Sequence, residues 1–223
     1  MQQAESPVTV TPTVGQFIEP RPERVAMSVV VPVYNEAESV RPLYDAVTTQ
    51  LASQGQTYEI IFVDDGSSDG SFKQLQALHE LDGHVRVVRF RRNFGKTPAL
   101  VAGFHEARGE VIFTMDADLQ DDPTEIPLFL EKLDEGYDLV SGWKYPRHDP
   151  PTKTIPSFFF NRMVWATTGV KLHYINCGFK AYRREIIEEV KLYGELHRFI
   201  PILAHQRGYR IAEVKVRHHK RTF

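Results

Sequence analysis

The chain has 223 residues, of which 42% are hydrophobic and 25% are charged. This length and composition suit one large, well-packed soluble domain. The formal net charge is -2 and the isoelectric point is near 6.5. Both values argue against a nucleic-acid partner, because domains that bind nucleic acid are usually strongly basic. Any phosphate binding must therefore depend on a local group of cations.

The ends of the chain and its single cysteine bear on compartment and anchoring. Cys177 has no partner for an internal disulfide, which favours a reducing compartment. No segment resembles a signal peptide, and no run reaches the ~20 apolar residues of a membrane-spanning helix. Frequent Pro and Thr predict that residues 1–26 form a flexible tail before a domain covering residues 27–223.

From Met27 onward, β-rich runs alternate with helical patterns, which predicts an α/β fold with a mostly parallel sheet flanked by helices. Strands are expected at residues 28–33, 59–63, 85–90, 111–115 and 138–141. Helices are expected around residues 40–51, 75–81, 97–107 and 124–135. Asn35 is predicted to cap the first helix, because Glu38 follows three residues later as in a capping box. Prolines 146, 150, 151 and 156 predict an irregular, substrate-facing segment.

Two carboxylates follow the apolar run that begins at Val111. Asp116 and Asp118 are two residues apart, so in a strand they point to the same side and can bind one cation, with Gln120 as a further oxygen donor. Mg²⁺ and Mn²⁺ prefer such oxygen ligands and often complete their shell with substrate phosphates. Aspartates after strands also accept hydrogen bonds from turn backbone. The motif alone leaves both interpretations open.

Polar clusters follow four of the predicted strands, and ligands of open α/β sheets bind at that edge. The clusters cover residues 32–36, 64–67, 91–96 and 116–118. Tyr34 can stack on a base, while Glu36 and Asp65 can accept hydrogen bonds from a base or ribose. Arg92 or Lys96 can bind a diphosphate. Each residue also has a plain structural interpretation: rim packing, helix capping or solvated surface charge.

Two other nucleotide motifs are absent. Gly95, Lys96 and Thr97 resemble the end of a phosphate-binding loop, but the earlier glycine of that motif would fall at Phe90, and Pro98 follows immediately. No G-x-G-x-x-G follows the first strand. A P-loop protein is therefore excluded, and a dinucleotide-dependent dehydrogenase is disfavoured.

The ordered motifs resemble family 2 glycosyltransferases of GT-A fold, and more narrowly polyprenyl-phosphate glycosyltransferases. That subgroup contains dolichol-phosphate mannose synthase and bacterial undecaprenyl-phosphate sugar transferases. The motifs are residues 29–36 (VVVPVYNE), 63–69 (VDDGSSD), 92–96 (RNFGK) and 116–121 (DADLQD). Residues 176–184 and 194–199 also resemble the subgroup, so the resemblance covers nearly everything after the tail.

The resemblance implies a GT-A (Rossmann-like) domain that binds a UDP- or GDP-linked sugar together with Mg²⁺ or Mn²⁺. Nucleotide binding is assigned to Pro32, Tyr34, Glu36, Asp65 and Lys96. Metal binding and catalysis are assigned to Asp116, Asp118 and Gln120. The cation would stabilise the charge that develops on the departing diphosphate.

The resemblance also implies that the acceptor is a polyprenyl phosphate, which attacks the anomeric carbon opposite the leaving group and inverts its configuration. A phosphate monoester has a second pKa of about 6, so the acceptor does not require a protein base. Cations for its phosphate are expected in the proline-rich segment, at Lys144, Arg147, Lys153 and Arg162.

Other functions stay open at this point. A family 2 enzyme acting on a sugar or protein hydroxyl would need a carboxylate base, for which Glu195 is the available candidate. A nucleotide-sugar binding module without turnover would bind donor and metal and transfer nothing. A nucleotidyltransferase is disfavoured, because no glycine-rich loop follows the first strand.

A membrane surface is an expected partner. Phe158, Phe159, Phe160, Met163 and Trp165 either enter the membrane interface, with Arg162 at the headgroups, or pack on the core. The basic residues 218–221 suit an anionic surface. Members of the subgroup commonly continue past this point into transmembrane helices. We therefore expect a truncated catalytic domain that acts at the cytoplasmic face of a membrane.

Overall fold

A seven-stranded sheet forms the centre of the protein, in a computed structural model that describes residues 24–145 and 162–221. Its strands are β1 (Val25–Val33), β2 (Tyr58–Asp64), β3 (Val85–Arg89), β4 (Gly109–Thr114), β5 (Leu139–Lys144), β6 (Lys180–Arg183) and β7 (Ile211–Val216). The order across the sheet is β3-β2-β1-β4-β6-β5-β7. Strand β6 runs antiparallel to β4 and β5, and the other described pairs are parallel. The predicted mostly parallel α/β sheet is confirmed.

Helices pack on both faces of this sheet. They are α1 (Ala37–Ser53), α2 (Ser71–Leu81), α3 (Lys96–Glu106), α4 (Ile126–Asp134), α5 (residues 162–168), α6 (Arg184–Glu189) and α7 (Ile200–Gln206). Short 3-10 helices cover Pro123–Glu125 and Leu196–Phe199. None of the helices in the described ranges combines the length and the apolar character needed to cross a bilayer.

The alternation of side chains along β1 explains the two cores. Val29 and Val31 are buried against α1 and α2, whereas Val30 between them is buried against α3. Successive strand residues point to opposite faces, so a strand covered on both sides is apolar at every position.

Strand β1 begins earlier than the sequence predicted. Val25 pairs with Gly109 of β4, and the backbone N–H of Ala26 donates to the carbonyl of Thr57. Two residues assigned to the tail therefore belong to the sheet, because their backbone groups find partners on both neighbouring strands. Of the rest of the predicted tail, Arg24 is described and residues 1–23 lie outside the described residues.

The predicted N-cap of α1 is wrong. Asn35 has a φ of 54°, and its side-chain oxygen accepts a hydrogen bond from the backbone of Ser68 at 2.9 Å. The first N–H of the helix, at Ala37, donates instead to Asp69 Oδ2 at 3.0 Å. The loop after β2 thus provides the N-cap of α1, and these hydrogen bonds join the loops that follow β1 and β2.

Other boundaries also differ from prediction, and two of them are informative. The helix expected from Thr124 is a 3-10 turn up to Glu125 and becomes α4 at Ile126. Strand β5 continues three residues past Ser141, because it pairs with β7 as far as Lys144.

A buried carboxylate joins the amino-terminal ends of the central strands. Glu59 of β2 accepts hydrogen bonds from Ser28 Oγ at 2.7 Å and from the Arg108 backbone at 2.6 Å. Its second oxygen pairs with the Arg108 guanidinium at 2.8 Å. Burial alone raises the pKa of Glu59, but these partners outweigh it and lower the pKa below its ordinary value. Glu59 is therefore held as a carboxylate.

Candidate active site

A cleft of about 280 Å³ opens at the carboxyl ends of β1, β2 and β4. It is lined by Pro32, Val33, Tyr34, Glu36, Asp65, Asn93, Gly95, Lys96, Asp116, Ala117 and Asp118. The structure thus brings together all five residues predicted to bind nucleotide and two of the three predicted to bind metal. This grouping follows from the parallel strands, whose carboxyl ends share one edge.

Asp65 shapes one wall of the cleft. The residue is 4% exposed, and its carboxylate accepts backbone hydrogen bonds from Phe94 at 2.7 Å and Gly95 at 2.9 Å. The adjacent Gly66 has a φ of 75°, and a Cβ there would overlap the backbone of Arg92. The loop after β3 is therefore pressed against the loop after β2, and Asp65 holds the two together.

Tyr34 and Glu36 occupy the outer part of the cleft. Tyr34 is 48% exposed, so its ring is available for stacking. The Glu36 carboxylate accepts a hydrogen bond from Ser39 Oγ at 3.1 Å and pairs with the Arg221 guanidinium at 2.7 Å. The segment after β7 therefore reaches the nucleotide cleft.

Lys96 and Asp116 form an ion pair at the inner end of the cleft. Burial alone would lower the pKa of Lys96, but the Asp116 carboxylate outweighs it and raises that pKa. Burial alone would raise the pKa of Asp116, but the cations of Lys96, Lys144 and Lys180 hold it below the ordinary value. Both members of the pair are charged at neutral pH.

Asp118 and Gln120 have different surroundings. Asp118 lines the cleft, and Oδ1 accepts the backbone N–H of Gln120 at 3.1 Å. Burial and the negative charge of Asp116 raise the pKa of Asp118. The side-chain amide of Gln120 donates to the carbonyl of His219 at 3.3 Å, so in this structure it fixes the segment after β7 and lies outside the cleft.

The carboxylates of Asp116 and Asp118 suit a hard divalent cation that shares its shell with a ligand. No group of three or more His, Cys, Asp or Glu side chains in the described part of the chain forms a site complete enough to hold a metal ion. A cation between these two aspartates would take its remaining ligands from phosphate or water, as Mg²⁺ and Mn²⁺ commonly do. The donor set fits that type of metal.

A second cavity, here called the polar pocket, has a volume of about 140 Å³ and lies on the other side of the Lys96–Asp116 pair. It is lined by Lys96, Leu100, Thr114, Met115, Asp116, Asn176, Cys177, Gly178, Lys180, Tyr182, His197 and Arg198. The antiparallel course of β6 builds it, because Lys180, the first residue of β6, pairs with Thr114, the last residue of β4. A Cβ at Gly178 would overlap the Asp116 carboxylate.

Buried ionisable side chains lie in the lining of this pocket or close to it. Lys180 donates to the carbonyl of Cys177, and burial lowers the pKa of Lys180 to about 8. Burial raises the pKa of the Cys177 thiol to about 12. Lys144 lies behind the site, where its ammonium pairs with the buried Asp121 at 3.1 Å.

Two of the four predicted acceptor-phosphate residues, Lys144 and Arg162, lie within the described part of the chain. Lys144 was expected in an open loop, but it is 6% exposed and pairs with Asp121. Arg147 and Lys153 lie outside the described residues, as do Phe158, Phe159 and Phe160.

Helix α5 carries the remaining residue of that set and part of the predicted apolar face. The Arg162 guanidinium lies 5.9 Å from the Trp165 ring centroid. Met163 is 58% exposed, whereas Val164 beside it is buried. The helix therefore packs on the domain through one side and leaves Met163 and Trp165 partly uncovered.

His197 and Glu195 precede α7. His197 Nδ1 lies 2.6 Å from Thr97 Oγ1, and burial together with the charge of Lys96 lowers the pKa of His197 to about 4. Its ring is neutral at neutral pH. The Glu195 side chain is 71% exposed and lies 3.7 Å from the Arg198 guanidinium. Among the described residues that line the two cavities, Glu195 does not appear.

Sequence analysis assigned no role to Asn176, Lys180, His197 or Arg198, although all four line the polar pocket. They lie within the segments 176–184 and 194–199, which resemble the subgroup. That resemblance was the available signal, because spacing cannot show that β6 turns back beside β4.

The fold is that of the GT-A glycosyltransferases. The family model for glycosyl transferase family 2 matches residues 28–191. The chain belongs to glycosyl transferase family 2, and the predicted family is confirmed.

Two curated relatives narrow the resemblance. The chain is 42% identical over 204 residues to the dodecaprenyl-phosphate galacturonate synthase of Rhizobium johnstonii, covering 89% of this chain and 60% of that protein. It is 42% identical over 198 residues to the undecaprenyl-phosphate 4-deoxy-4-formamido-L-arabinose transferase of Klebsiella pneumoniae, covering 88% and 61%. The chain thus spans about three fifths of the length of these relatives.

Solved structures of lower identity share the fold. Glucosyl-3-phosphoglycerate synthase from Mycobacterium tuberculosis, in complex with Mn²⁺, UDP-glucose and phosphoglyceric acid, has a TM-score of 0.68 at 21% identity, covering 88% of this chain and 72% of that one. A mannosyltransferase from Pyrobaculum calidifontis with GDP-Man and Mn²⁺ has a TM-score of 0.63 at 23% identity, covering 88% and 57%.

Proposed function

We propose that this chain is the catalytic part of an inverting glycosyltransferase that moves a sugar from a nucleotide-diphosphate sugar to a polyprenyl phosphate. The observation that carries the proposal is the cleft itself. It combines an exposed ring, Tyr34, with a cation, Lys96, and with two carboxylates, Asp116 and Asp118. A nucleoside, a diphosphate and its metal ion require these three kinds of group.

The relatives support the acceptor class. Both curated proteins at 42% identity are named for transfer to a dodecaprenyl or undecaprenyl phosphate. The structural neighbours crystallised with Mn²⁺ and either UDP-glucose or GDP-Man agree with a metal-bound donor.

The chemistry follows from the charges in the cleft. A bound Mg²⁺ or Mn²⁺ would be held by Asp116 and Asp118, and it would supply Lewis-acid stabilisation to the departing diphosphate. Lys96 lies beside those carboxylates and adds a fixed positive charge to that side of the cleft. The acceptor phosphate oxygen forms the new bond to the anomeric carbon as the bond to the donor phosphate breaks. The electron pair leaves with the nucleoside diphosphate.

The acceptor removes the need for a general base. A phosphate monoester is largely ionised at neutral pH, since its second pKa is about 6. The exposed position of Glu195, outside both cavities, agrees with a reaction in which no carboxylate takes a proton.

We further propose that the protein works at the cytoplasmic face of a membrane. The polyprenyl chain of the acceptor is apolar and resides in the bilayer, so its phosphate is presented at the surface. The partly exposed Met163 and Trp165, with Arg162 beside them, suit such a surface. The anchoring helices expected from the resemblance would add to this attachment.

A transfer assay tests the proposed reaction. A panel of radiolabelled UDP- and GDP-sugars is offered with Mn²⁺ or Mg²⁺ and a short polyprenyl phosphate, and label in the lipid fraction is counted. We expect chelator-sensitive labelling with one donor. Transfer of label to a sugar or protein hydroxyl, with no lipid labelling by a protein that binds the donor, would overturn the assigned acceptor.

A further inference from the structure

The polar pocket contains more positive than negative charge. Lys96 and Asp116, which both line it, neutralise each other. Lys180 and Arg198 add two further cations to the lining. Within the described residues, the Lys180 ammonium bonds to the Cys177 carbonyl and has no carboxylate partner. The pocket is therefore prepared for an anion.

Arg198 is only loosely engaged. Its guanidinium lies 3.7 Å from the Glu195 carboxylate, and the two side chains are 49% and 71% exposed. Ion pairs of this kind contribute little, so the guanidinium can turn to a ligand at small cost. A planar guanidinium binds phosphate oxygens in bidentate fashion.

The position of the pocket fits the incoming group. It shares Lys96 and Asp116 with the nucleotide cleft and lies beyond them. A ligand in the pocket is thus next to the diphosphate end of the donor and separate from the nucleoside. The acceptor in an inverting transfer must approach from the side away from the leaving group.

We propose that the polar pocket binds the phosphate group of the acceptor, with Lys180 and Arg198 as its cationic contacts. This inference rests on the proposed function. A phosphate monoester carries a charge of about -1.5 to -2 near pH 7, which the cations of Lys180 and Arg198 would balance. The amide of Asn176 and the neutral ring of His197 complete a polar lining.

A carboxylate on the donor sugar has related chemistry, since it is also an oxyanion that Arg and Lys bind. The acceptor phosphate is favoured because it carries more negative charge than a carboxylate and is present whichever donor sugar is used. The test separates the two sources by measuring the lipid and the donor independently.

The central variant is Arg198→Gln, and the matched control is Arg207→Gln, an exposed arginine on the turn after α7 whose guanidinium bonds to the Leu203 carbonyl. The affinity for farnesyl phosphate is measured by calorimetry and as KM in the transfer assay. We expect Arg198→Gln to weaken farnesyl phosphate binding about tenfold or more, the loss typical of a charged hydrogen bond. UDP binding with Mn²⁺ should be unchanged, and Arg207→Gln should match the wild type in both measurements.

Lys180→Met provides the second variant, which keeps a long unbranched side chain and removes the buried charge. Because Lys180 is buried, the circular dichroism and thermal unfolding of this variant are recorded first. If Lys180→Met does not fold, Arg198→Gln alone tests the proposal. In a folded variant we expect the same loss of farnesyl phosphate affinity. Inorganic phosphate should compete with farnesyl phosphate in the wild type and compete less well in both variants.

Three results would overturn the inference. If the wild type glycosylates the lipid but Arg198→Gln and Arg207→Gln bind farnesyl phosphate equally well, the polar pocket is not the acceptor site. The proposed function would still stand. If Arg198→Gln raises the KM for UDP-galacturonate and leaves the affinity for farnesyl phosphate unchanged, the pocket would be assigned to the donor sugar. Absence of farnesyl phosphate glycosylation by the wild type with every donor would overturn the proposed function together with the inference.

Discussion

Lys96, the first residue of α3, and Asp116, two residues after β4, form an ion pair that separates the nucleotide cleft from the polar pocket. Each cavity is lined by both residues. The pair therefore lies where the two cavities adjoin.

Replacing Lys96 by Met should impair turnover far more than folding. The change removes a positive charge beside the departing diphosphate and leaves Asp116 without its partner. We expect kcat/KM to fall about 10²-fold, the typical cost of losing one preorganised electrostatic contact. Steady-state kinetics measures the effect. Lys132→Met, on the surface of α4 in a pair with Glu135, is the control, and equal rates for both variants would contradict the role of Lys96.

Asp118→Asn should abolish metal binding in the presence of nucleotide. The substitution preserves size and removes one of two carboxylates that face the cleft. We expect calorimetry with Mn²⁺ and UDP to show no metal-dependent binding and expect turnover to be lost. Asp45→Asn, which breaks a surface pair with Arg41, should behave as wild type. Full activity of Asp118→Asn would remove it from the metal site.

Gly178→Ala should disturb Asp116 directly. A Cβ at Gly178 overlaps the Asp116 carboxylate, whereas a Cβ at Gly83 meets nothing within 4 Å. We expect Gly178→Ala to lower kcat and to cost about 1–3 kcal/mol of unfolding free energy, as overpacking usually does. Gly83→Ala is the control for both measurements. Unchanged kinetics of Gly178→Ala would show that Asp116 tolerates displacement.

Glu59→Gln should alter how stability depends on pH. The pKa of Glu59 in the folded protein is lower than its ordinary value of 4.5, so its ionised form stabilises the fold above about pH 4.5. That contribution is lost as the pH falls below 4.5 towards the folded pKa. We expect the variant to be about 3 kcal/mol less stable at pH 7 and the gap to narrow in acid. Urea unfolding at several pH values measures it, and a gap independent of pH would contradict the ion pair.

Cys177 should not react with thiol reagents in the native protein. It is 1% exposed, and burial raises the pKa of its thiol to about 12, so almost no thiolate is present at pH 8. A disulfide reagent such as DTNB should label the thiol only after unfolding in guanidinium. If the native protein is labelled as rapidly as an exposed thiol, this part of the polar pocket opens to solvent.

The parallel half of the molecule was predictable from sequence. Hydrophobic runs and turn residues located β1 to β4, and the rule that ligands bind at the carboxyl ends of such strands grouped Tyr34, Asp65, Lys96 and Asp118 correctly. Local chemistry was less reliable. Asn35 carries a capping signature, yet Asp69 from another loop caps the helix, because tertiary hydrogen bonds replaced the local one.

The second half depends on a strand that reverses direction. Strand β6 lies between β4 and β5 and brings Lys180 next to Thr114, although 65 residues separate β6 from the end of β4 in the sequence numbering. No periodicity reports such a pairing. For the same reason Lys144 looked like part of an open loop, whereas pairing of β5 with β7 buries it beside Asp121.

The measurement that tests the central claim most directly is the release of nucleoside diphosphate from the donor, followed with and without polyprenyl phosphate. We expect the lipid to stimulate release and the glycolipid to appear in equal amount, with both lost when metal is chelated. Release that is indifferent to the lipid, with the sugar recovered as free sugar, would contradict transfer to a polyprenyl phosphate.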